Sequence, residues 1–444
     1  MASNKTKIGD FLFERKGKYK PSDEKIQGLK RIEKINFSGN FYIGDKSSKT
    51  NMILVKQGDL VISGINVSKG AMGIYNLEDD VVATIHYSSY TFDEEKINVG
   101  YFKRFLKSVE FIKLLNEQIK GGIKTEIKPK HILPLEINLP SIKTQNEIVE
   151  RFENVETDID NLNNEVNNQQ TLLKKLRQSI LQEAIEGKLT TSWREQNNDV
   201  ESASGVFEKI KAKKEQLIKD KKLKKSKEID NSKTERIINI PTSWIWAKGD
   251  ELFFTTKLAG FEYSEHINLK DDGEVPVIRA QNVRPFHIKI DKLKYIDMKT
   301  SLLLHRCALT KPALLITFIG AGIGDVALFK EKIRWHLAPN VAKQEVFEGC
   351  EKYISLKFIN HFLMSNYGKR ELYKHMKATA QPSLSMGTIR DIDYPFPPIE
   401  EQNEIVKKVE SLFKVCDELE VQINSSNRNS QTLMQSVLKE AFEK

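Results

Sequence analysis

The 444-residue chain is poor in cysteine and tryptophan, with three Cys and four Trp. Cys307, Cys350 and Cys416 lie far apart, so they build neither a disulfide framework nor a CxxC metal site, and a reducing compartment is expected. No apolar stretch approaches the ~20 residues of a membrane span. The longest surrounds ALLITFIGAGIG (Ala313 to Gly324), and the opening MASNKTKIGD lacks the apolar run of a signal peptide. A soluble cytoplasmic protein is the expectation. Catalytic signatures are missing too: there is no HExxH, no GxSxG and no Asn-Pro-Pro-aromatic. His86, His287 and His336 read as core or surface residues, and no metal site is expected. Gly320, Gly322 and Gly324 follow a strand-like run but do not spell GxGxxG, and no Lys-Ser/Thr follows as in a P-loop. They read as a tight strand-to-strand turn, where glycine supplies positive φ.

What the chain has in excess is positive charge. Seventy Lys and Arg stand against 61 Asp and Glu, a net of +9, the sign suited to a phosphate-bearing partner. The excess is unevenly spread. Residues 141–188 and 398–444 each carry six basic and nine acidic side chains. Lys209 to Lys227 holds ten Lys and two acids, which reads as a solvated helix or linker in preference to a DNA-binding arm. About +7 remains on the other segments. Basic halves joined by acidic helices fit two DNA readers held apart by a spacer.

The chain is also repeated. QNEIV occurs at Gln145 to Val149 and again at Gln402 to Val406, and Pro140 to Gly187 over Pro397 to Lys444 gives 18 identities in 48 positions. The same register places YFKRFLKS (Tyr101 to Ser108) over FINHFLMS (Phe358 to Ser365). With small drifts, LVISGINVSKGAMGI (Leu60 to Ile74) matches LLITFIGAGIGDV (Leu314 to Val326), and KIGDFLF (Lys7 to Phe13) matches AKGDELF (Ala247 to Phe253). The whole chain is a tandem of two similar halves.

Each half ends in a long helix with a heptad seam. The first runs through Ile148, Phe152, Val155, Ile159, Leu162, Val166, Leu173, Leu176 and Ile180; the second through Ile405, Val409, Leu412, Cys416, Leu419, Ile423, Leu433 and Val437. Neither can bury its seam alone, so the two are expected to pack on each other. Each spans on the order of 60 Å at 1.5 Å per residue. The expected fold is α/β (α+β): two similar globular domains alternating with two long helices that pair as an antiparallel coiled coil. The expected boundaries are 1–140, helix 141–188, a Lys-rich linker 189–240, 241–397, and helix 398–444.

Side chains suited to base edges cluster in VIRAQNVRPFHIK (Val277 to Lys289), where Arg279, Gln281, Asn282 and Arg284 have donor geometries that read guanine and adenine. Arg31, Lys34 and Asn36 in LKRIEKINFSGN are taken as their first-half counterparts. Asn66, Ser68, Lys69, Lys124 and Lys128 in the first half, and Gln381 and Ser383 in the second, complete the candidates. The aligned loops GGIKTEIKPK and ATAQPSLSMG differ in composition, as readers of unlike half-sites require.

The paired PxIxxQNEIV stretches, the helix ends LRQSILQEAIEGKLT and LMQSVLKEAFEK, IPTSWIWAKGDELF and HLAPNVAK together resemble the specificity subunit of Type I restriction-modification enzymes. The resemblance spans nearly the whole chain. It implies two target-recognition domains reading a bipartite double-stranded DNA site, and helices that dock two methyltransferase subunits and, through them, restriction subunits. It further implies a subunit that does no chemistry: S-adenosylmethionine belongs to the methyltransferase, ATP and Mg to the restriction subunit. In this reading QNEIV repeats because each methyltransferase copy needs a docking helix, and the readers lie one to two duplex turns of ~34 Å apart. Two rivals stand beside it: a self-contained DNA methyltransferase or nuclease using the glycine turn, and a coiled-coil scaffold without a DNA role.

Overall fold

The computed structural model describes residues 5–37, 39–66, 71–118, 128–225, 238–320, 322–376 and 382–442. They divide into two compact units, Met1–Asn168 with Ile423–Lys444, and Gln169–Gln422.

The first unit holds β1 (Lys5–Lys7), β2 (Leu12–Glu14), β3 (Arg31–Ile35), β4 (Phe41–Gly44), β5 (Met52–Val55), β6 (Leu60–Ser63), β7 (Met72–Ile74), β8 (Val81–Thr84) and β9 (Tyr87–Phe92). Helices α1 (Val99–Phe105), α2 (Val109–Gln118) and α3 (Pro129–Ile132), strand β10 (Glu136–Asn138) and the start of α4 (Ile142–Ile185) follow. The sheets run β2-β9-β6-β7, β4-β3-β8-β5 and β1-β10. All four residues of β6 are buried, as expected of an interior strand. Around it Phe11, Phe92, Phe102, Phe105 and Phe111 pack edge-on or stacked, with ring centroids 5.3 to 6.1 Å apart.

The second unit adds α5 (Thr191–Gln196), α6 (Ala203–Lys219), β11 (Ile245–Lys248), α7 (Gly249–Leu252), β12 (Phe253–Lys257), α8 (Gly260–His266), β13 (Val275–Ile278), β14 (Val283–Arg284), β15 (His287–Ile288) and β16 (Lys294–Ile296). After these come α9 (Met298–Leu303), β17 (Ala308–Leu309), β18 (Ala313–Thr317), β19 (Val326–Phe329), β20 (Trp335–Leu337), β21 (Val341–Val346), α10 (Leu356–Met364), α11 (Asn366–Tyr373), α12 (Met386–Arg390), β22 (Asp393–Phe396) and α13 (Ile399–Phe442). Its sheets run β12-β21-β18-β19, β16-β13-β20-β17 and β11-β22. Matched strand for strand, these are the first unit's sheets. Even the one parallel pair recurs, β3 with β8 and β13 with β20. The duplication read from the sequence is a duplication of topology.

QNEIV has a local explanation. Gln145 is fully buried: its Oε1 accepts from the backbone N–H of Asn98 at 2.7 Å, and its Nε2 donates to Lys96 and Pro140 carbonyls. Gln402 repeats the pattern, accepting from the Ser355 N–H at 2.8 Å and donating to Tyr353 and Pro397 carbonyls. Asn98 and Ser355 are the N-cap residues of α1 and α10. In each half one glutamine therefore fastens the long helix to a helix of its own lobe. The two glutamines thus serve their own lobes, which gives the repeated motif a reason within the fold beside the docking role expected of the helices.

The two 44-residue helices pair antiparallel. In the second unit Arg177 bonds Asp417 at 2.6 Å and Glu420 at 3.1 Å, its guanidinium over the Phe413 ring. In the first unit Arg151 stands 4.0 Å from Glu440, and Val437 packs on the lobe core beside Phe152 and Ile148. The seam is narrower than its heptad spacing suggests. Phe152, Ile159, Val166, Leu173 and Ile180 are buried at every seventh position, as are Val409, Cys416 and Ile423, with Ile405. The intervening column is not: Leu162, Leu176, Leu412, Leu419 and Leu433 are 39% to 49% exposed, and Val155 is partly buried. Two helices supply one opposing surface, so only the column aimed at it is enclosed.

The stretch 189–240 is not a plain linker either. Ser202 caps α6 by accepting from the Gly205 N–H, and α6 buries Val206, Phe207, Ile210 and Leu217 while its lysines alternate between them. Phe207 meets Phe396, and Lys214 bonds Asp250 at 2.7 Å.

Candidate nucleic-acid interface

In the second unit, β13 ends at Ile278 and the chain makes an excursion through 279–292 that is tied down at both ends. Asn282 is buried; its Oδ1 accepts from the Arg279 N–H at 3.1 Å and its Nδ2 donates to the Lys289 carbonyl at 2.9 Å. That closes the excursion and removes Asn282 from the candidates for base contact. Arg279 donates from Nη2 to the Lys292 carbonyl, and Arg284 from Nη1 to the Ala280 and Val283 carbonyls. Gln281 is exposed. At the tip, Phe286 adopts φ +67°, donates its N–H to the Val326 carbonyl and sets its ring 5.8 Å from both His361 and Phe413.

The glycine turn joins antiparallel β18 and β19, with φ of +98°, +87° and +80° at Gly320, Gly322 and Gly324. It is the strand-to-strand turn that its glycines imply. Its carbonyls are occupied: Ile323 accepts from Tyr373 Oη and Gly324 from Lys369 Nζ. A Cβ on Gly322 would lie 3.7 Å from Arg284 Nη1, and Ser383 sits in an isolated antiparallel bridge with Ile319. Arg284, the glycine turn and Ser383 thus form one loop cluster, although they are distant in sequence.

The first unit builds the corresponding place differently. The strand that matches β13 is β3, so the counterpart of Arg279 onward is the turn from Asn36. Arg31 and Lys34 lie inside β3, paired with β4, and the expected equivalence to Arg279 and Arg284 fails for them. Lys34 is exposed; Arg31 is partly buried. Asn36 Oδ1 accepts from the Asn40 N–H, which tightens a turn whose Gly39 packs against the Met72 carbonyl of β7. Asn66 accepts from the Ala71 N–H through its carbonyl, in the loop between β6 and β7. Lys128 is exposed at the N-cap of α3. Ser68, Lys69, Lys124 and Gln381 lie outside the described residues.

A cleft beside each cluster was missed in the sequence. In the first unit about 380 Å³ opens between the Gly39–Phe41 turn, β7 and α1, with Lys103 and Lys107 on its wall. Burial, and next the charge of Lys103, hold the Lys107 ammonium below its ordinary pKa. In the second unit the matching cleft, about 320 Å³, lies between β15, β19 and α10 and presents Asn360, His361 and the Lys357–Glu410 pair. Burial pushes His361 down to about 4, so it is neutral near pH 7. One place in the fold therefore carries cationic chemistry in one half and neutral chemistry in the other. The signal was present in the aligned YFKRFLKS and FINHFLMS, where Lys103 faces Asn360. Among the described residues no group of His, Cys, Asp and Glu could hold a metal ion, and no helix is long and apolar enough to cross a membrane.

A duplicated α+β lobe with trailing antiparallel helices and side chains that differ at matched loops defines a tandem-repeat protein with two unlike loop surfaces. Comparison with known proteins shows what the chain is similar to. Residues 253–426 match the family model of the Type I restriction modification DNA specificity domain. The EcoBI specificity subunit of Escherichia coli is 24% identical over 79% of this chain and 66% of its own length. The MjaVIII specificity subunit of Methanocaldococcus jannaschii is 24% identical over 96% of this chain and 91% of its own. The chain spans about two thirds of the Escherichia coli relative. Among solved structures, a chain from work described as the structural basis underlying complex assembly and conformational transition of the type I R-M system superposes with TM-score 0.60 at 12% identity, covering 99% of this chain and 97% of that one. The HsdS subunit from Thermoanaerobacter tengcongensis superposes at 0.50 and 13% identity, covering 99% and 96%. Residues 253–426 thus carry the likeness to a type I restriction modification DNA specificity domain, and the chain is similar to specificity subunits over most of its length.

Proposed function

We propose that this chain selects a bipartite double-stranded DNA site, one half-site for each lobe, and docks two methyltransferase subunits that modify adenine, with restriction subunits joining for cleavage. Residues 1–140 and 241–397 act as the two target-recognition domains, and the long helices set the unread gap. The chain itself does no chemistry; S-adenosylmethionine acts in the methyltransferase, ATP and Mg in the restriction subunit. The observation that carries this reading is one topology built twice with unlike side chains at matched loops. Base contacts fall to Gln281, Arg284 and Ser383 in the second lobe and to the Asn36 turn, Asn66 and Lys128 in the first. The half-exposed Leu162, Leu176, Leu412, Leu419 and Leu433 offer the methyltransferase an apolar column on the helices. Footprinting of the full chain with its methyltransferase partner tests the reading: two protected blocks flanking an unprotected gap are expected, and one continuous block would overturn it.

A further inference from the structure

We propose that the Lys-rich segment after the first long helix forms, with the edge of β12, a cleft that grips the phosphodiester backbone of duplex DNA independently of base sequence. The inference rests on the DNA-binding reading above and assigns a role to the exposed lysines of a segment whose apolar face is docked on the second lobe. The cleft is wide, about 1240 Å³, and eight Lys and Arg line it against three carboxylates.

Each carboxylate already has a cation. Asp250 bonds Lys214 at 2.7 Å, Glu262 bonds Arg306 at 2.6 Å, and Glu345 bonds Lys343 at 2.7 Å. Lys221, Lys222, Lys224 and Lys225 remain, with Arg390 opposite; the four lysines are exposed, and among the described residues the ion pair they make is Lys222 with Glu348, at 3.8 Å, the acid itself 70% exposed. A surplus of this size in one concavity raises local anion concentration.

The lysines are also held in place. α6 is anchored by buried Leu217, by Phe207 on Phe396 and by Lys214 on Asp250. It ends in a double hydrogen-bonded cap: the Lys221 N–H donates to the Ile218 carbonyl at 3.0 Å and the Lys222 N–H to the Leu217 carbonyl at 2.9 Å. Lys221 occupies the left-handed position of that cap at φ +58°, where glycine is the usual residue. The cap turns Lys222 to Lys225 back toward the lobe, so they line the cleft instead of trailing as a loose arm. The far wall contributes Arg390, whose Nη2 covers the β12 edge through the Thr255 carbonyl. In the sheet order β12-β21-β18-β19 this cleft flanks one edge strand, and the loop cluster at the glycine turn adjoins the other. Three strand spacings, about 14 Å, separate the edges. Backbone grip and base readout thus fall to different edges of one sheet.

The test is the salt dependence of duplex binding by the full chain with the four lysines changed together, K221Q, K222Q, K224Q and K225Q, beside the matching four-arginine variant. Each phosphate contact contributes about 0.9 to the slope of log K against log salt. The glutamine variant is expected to lose about 3 to 4 from that slope while still preferring the wild-type site, and the arginine variant to keep it. An unchanged slope in the glutamine variant with site preference intact would overturn the inference and leave the proposed function standing. Loss confined to single-stranded RNA would overturn it as well. A wild-type chain with its methyltransferase that prefers no site is the separate failure of the reading beneath it.

Discussion

At the residue scale, Gln145 and Gln402 show how one side chain decides where a helix begins. Each satisfies a backbone N–H and two carbonyls inside its lobe. Removing one partner of a buried hydrogen bond costs about 1–3 kcal/mol, and three bonds are at stake. Q145A and Q402A should each lower stability by about 2–4 kcal/mol, seen as a shift of the urea midpoint. A change below about 0.5 kcal/mol would count against the pin. His361 makes a pH prediction. Burial lowers its pKa to about 4, with Glu410 opposing and Lys357 assisting, from an unfolded value near 6.5. A base whose folded pKa is depressed binds protons more readily when unfolded, so stability falls as pH drops from about 6.5 toward 4 and is unaffected above that window. The full effect is about 3 kcal/mol. A Tm profile should flatten between pH 4 and 6.5 in H361F.

At the element scale, the heptad repeat and the 257-residue register made the long helices and the duplication legible, because identity and period survive without knowing the fold. The period could not say which column faces the other helix. L162D and L419D, in the exposed column, should cost about 1 kcal/mol each, while V166D and C416D place a charge where 3% and 1% of the side chain is exposed and should cost at least about 2 kcal/mol. Thermal melts of the four variants check the order. Residue type misled in the loops. Asn282 has the geometry to read adenine but spends it closing its own turn, and Arg31 matches Arg279 in letters but not in strand position. The Lys-rich stretch reads as linker by composition. Only its buried Val206, Phe207, Ile210 and Leu217, at helical spacing, reveal a docked helix.

For the whole molecule, the proposed function accounts for two lobes of one topology with acidic helices and basic surroundings: a duplex with two half-sites would ask for two similar heads that differ at their loops. Lobe identity should then be separable. Replacing residues 245–396 by those of a relative with another specificity should change one half of the recognised sequence and leave the other. The most direct test of the central claim is single-molecule sequencing of methylated bases in DNA exposed to this chain with its methyltransferase. Two short specified blocks separated by a gap of fixed length and free sequence are predicted; methylation at one contiguous motif, or at none, would contradict the account.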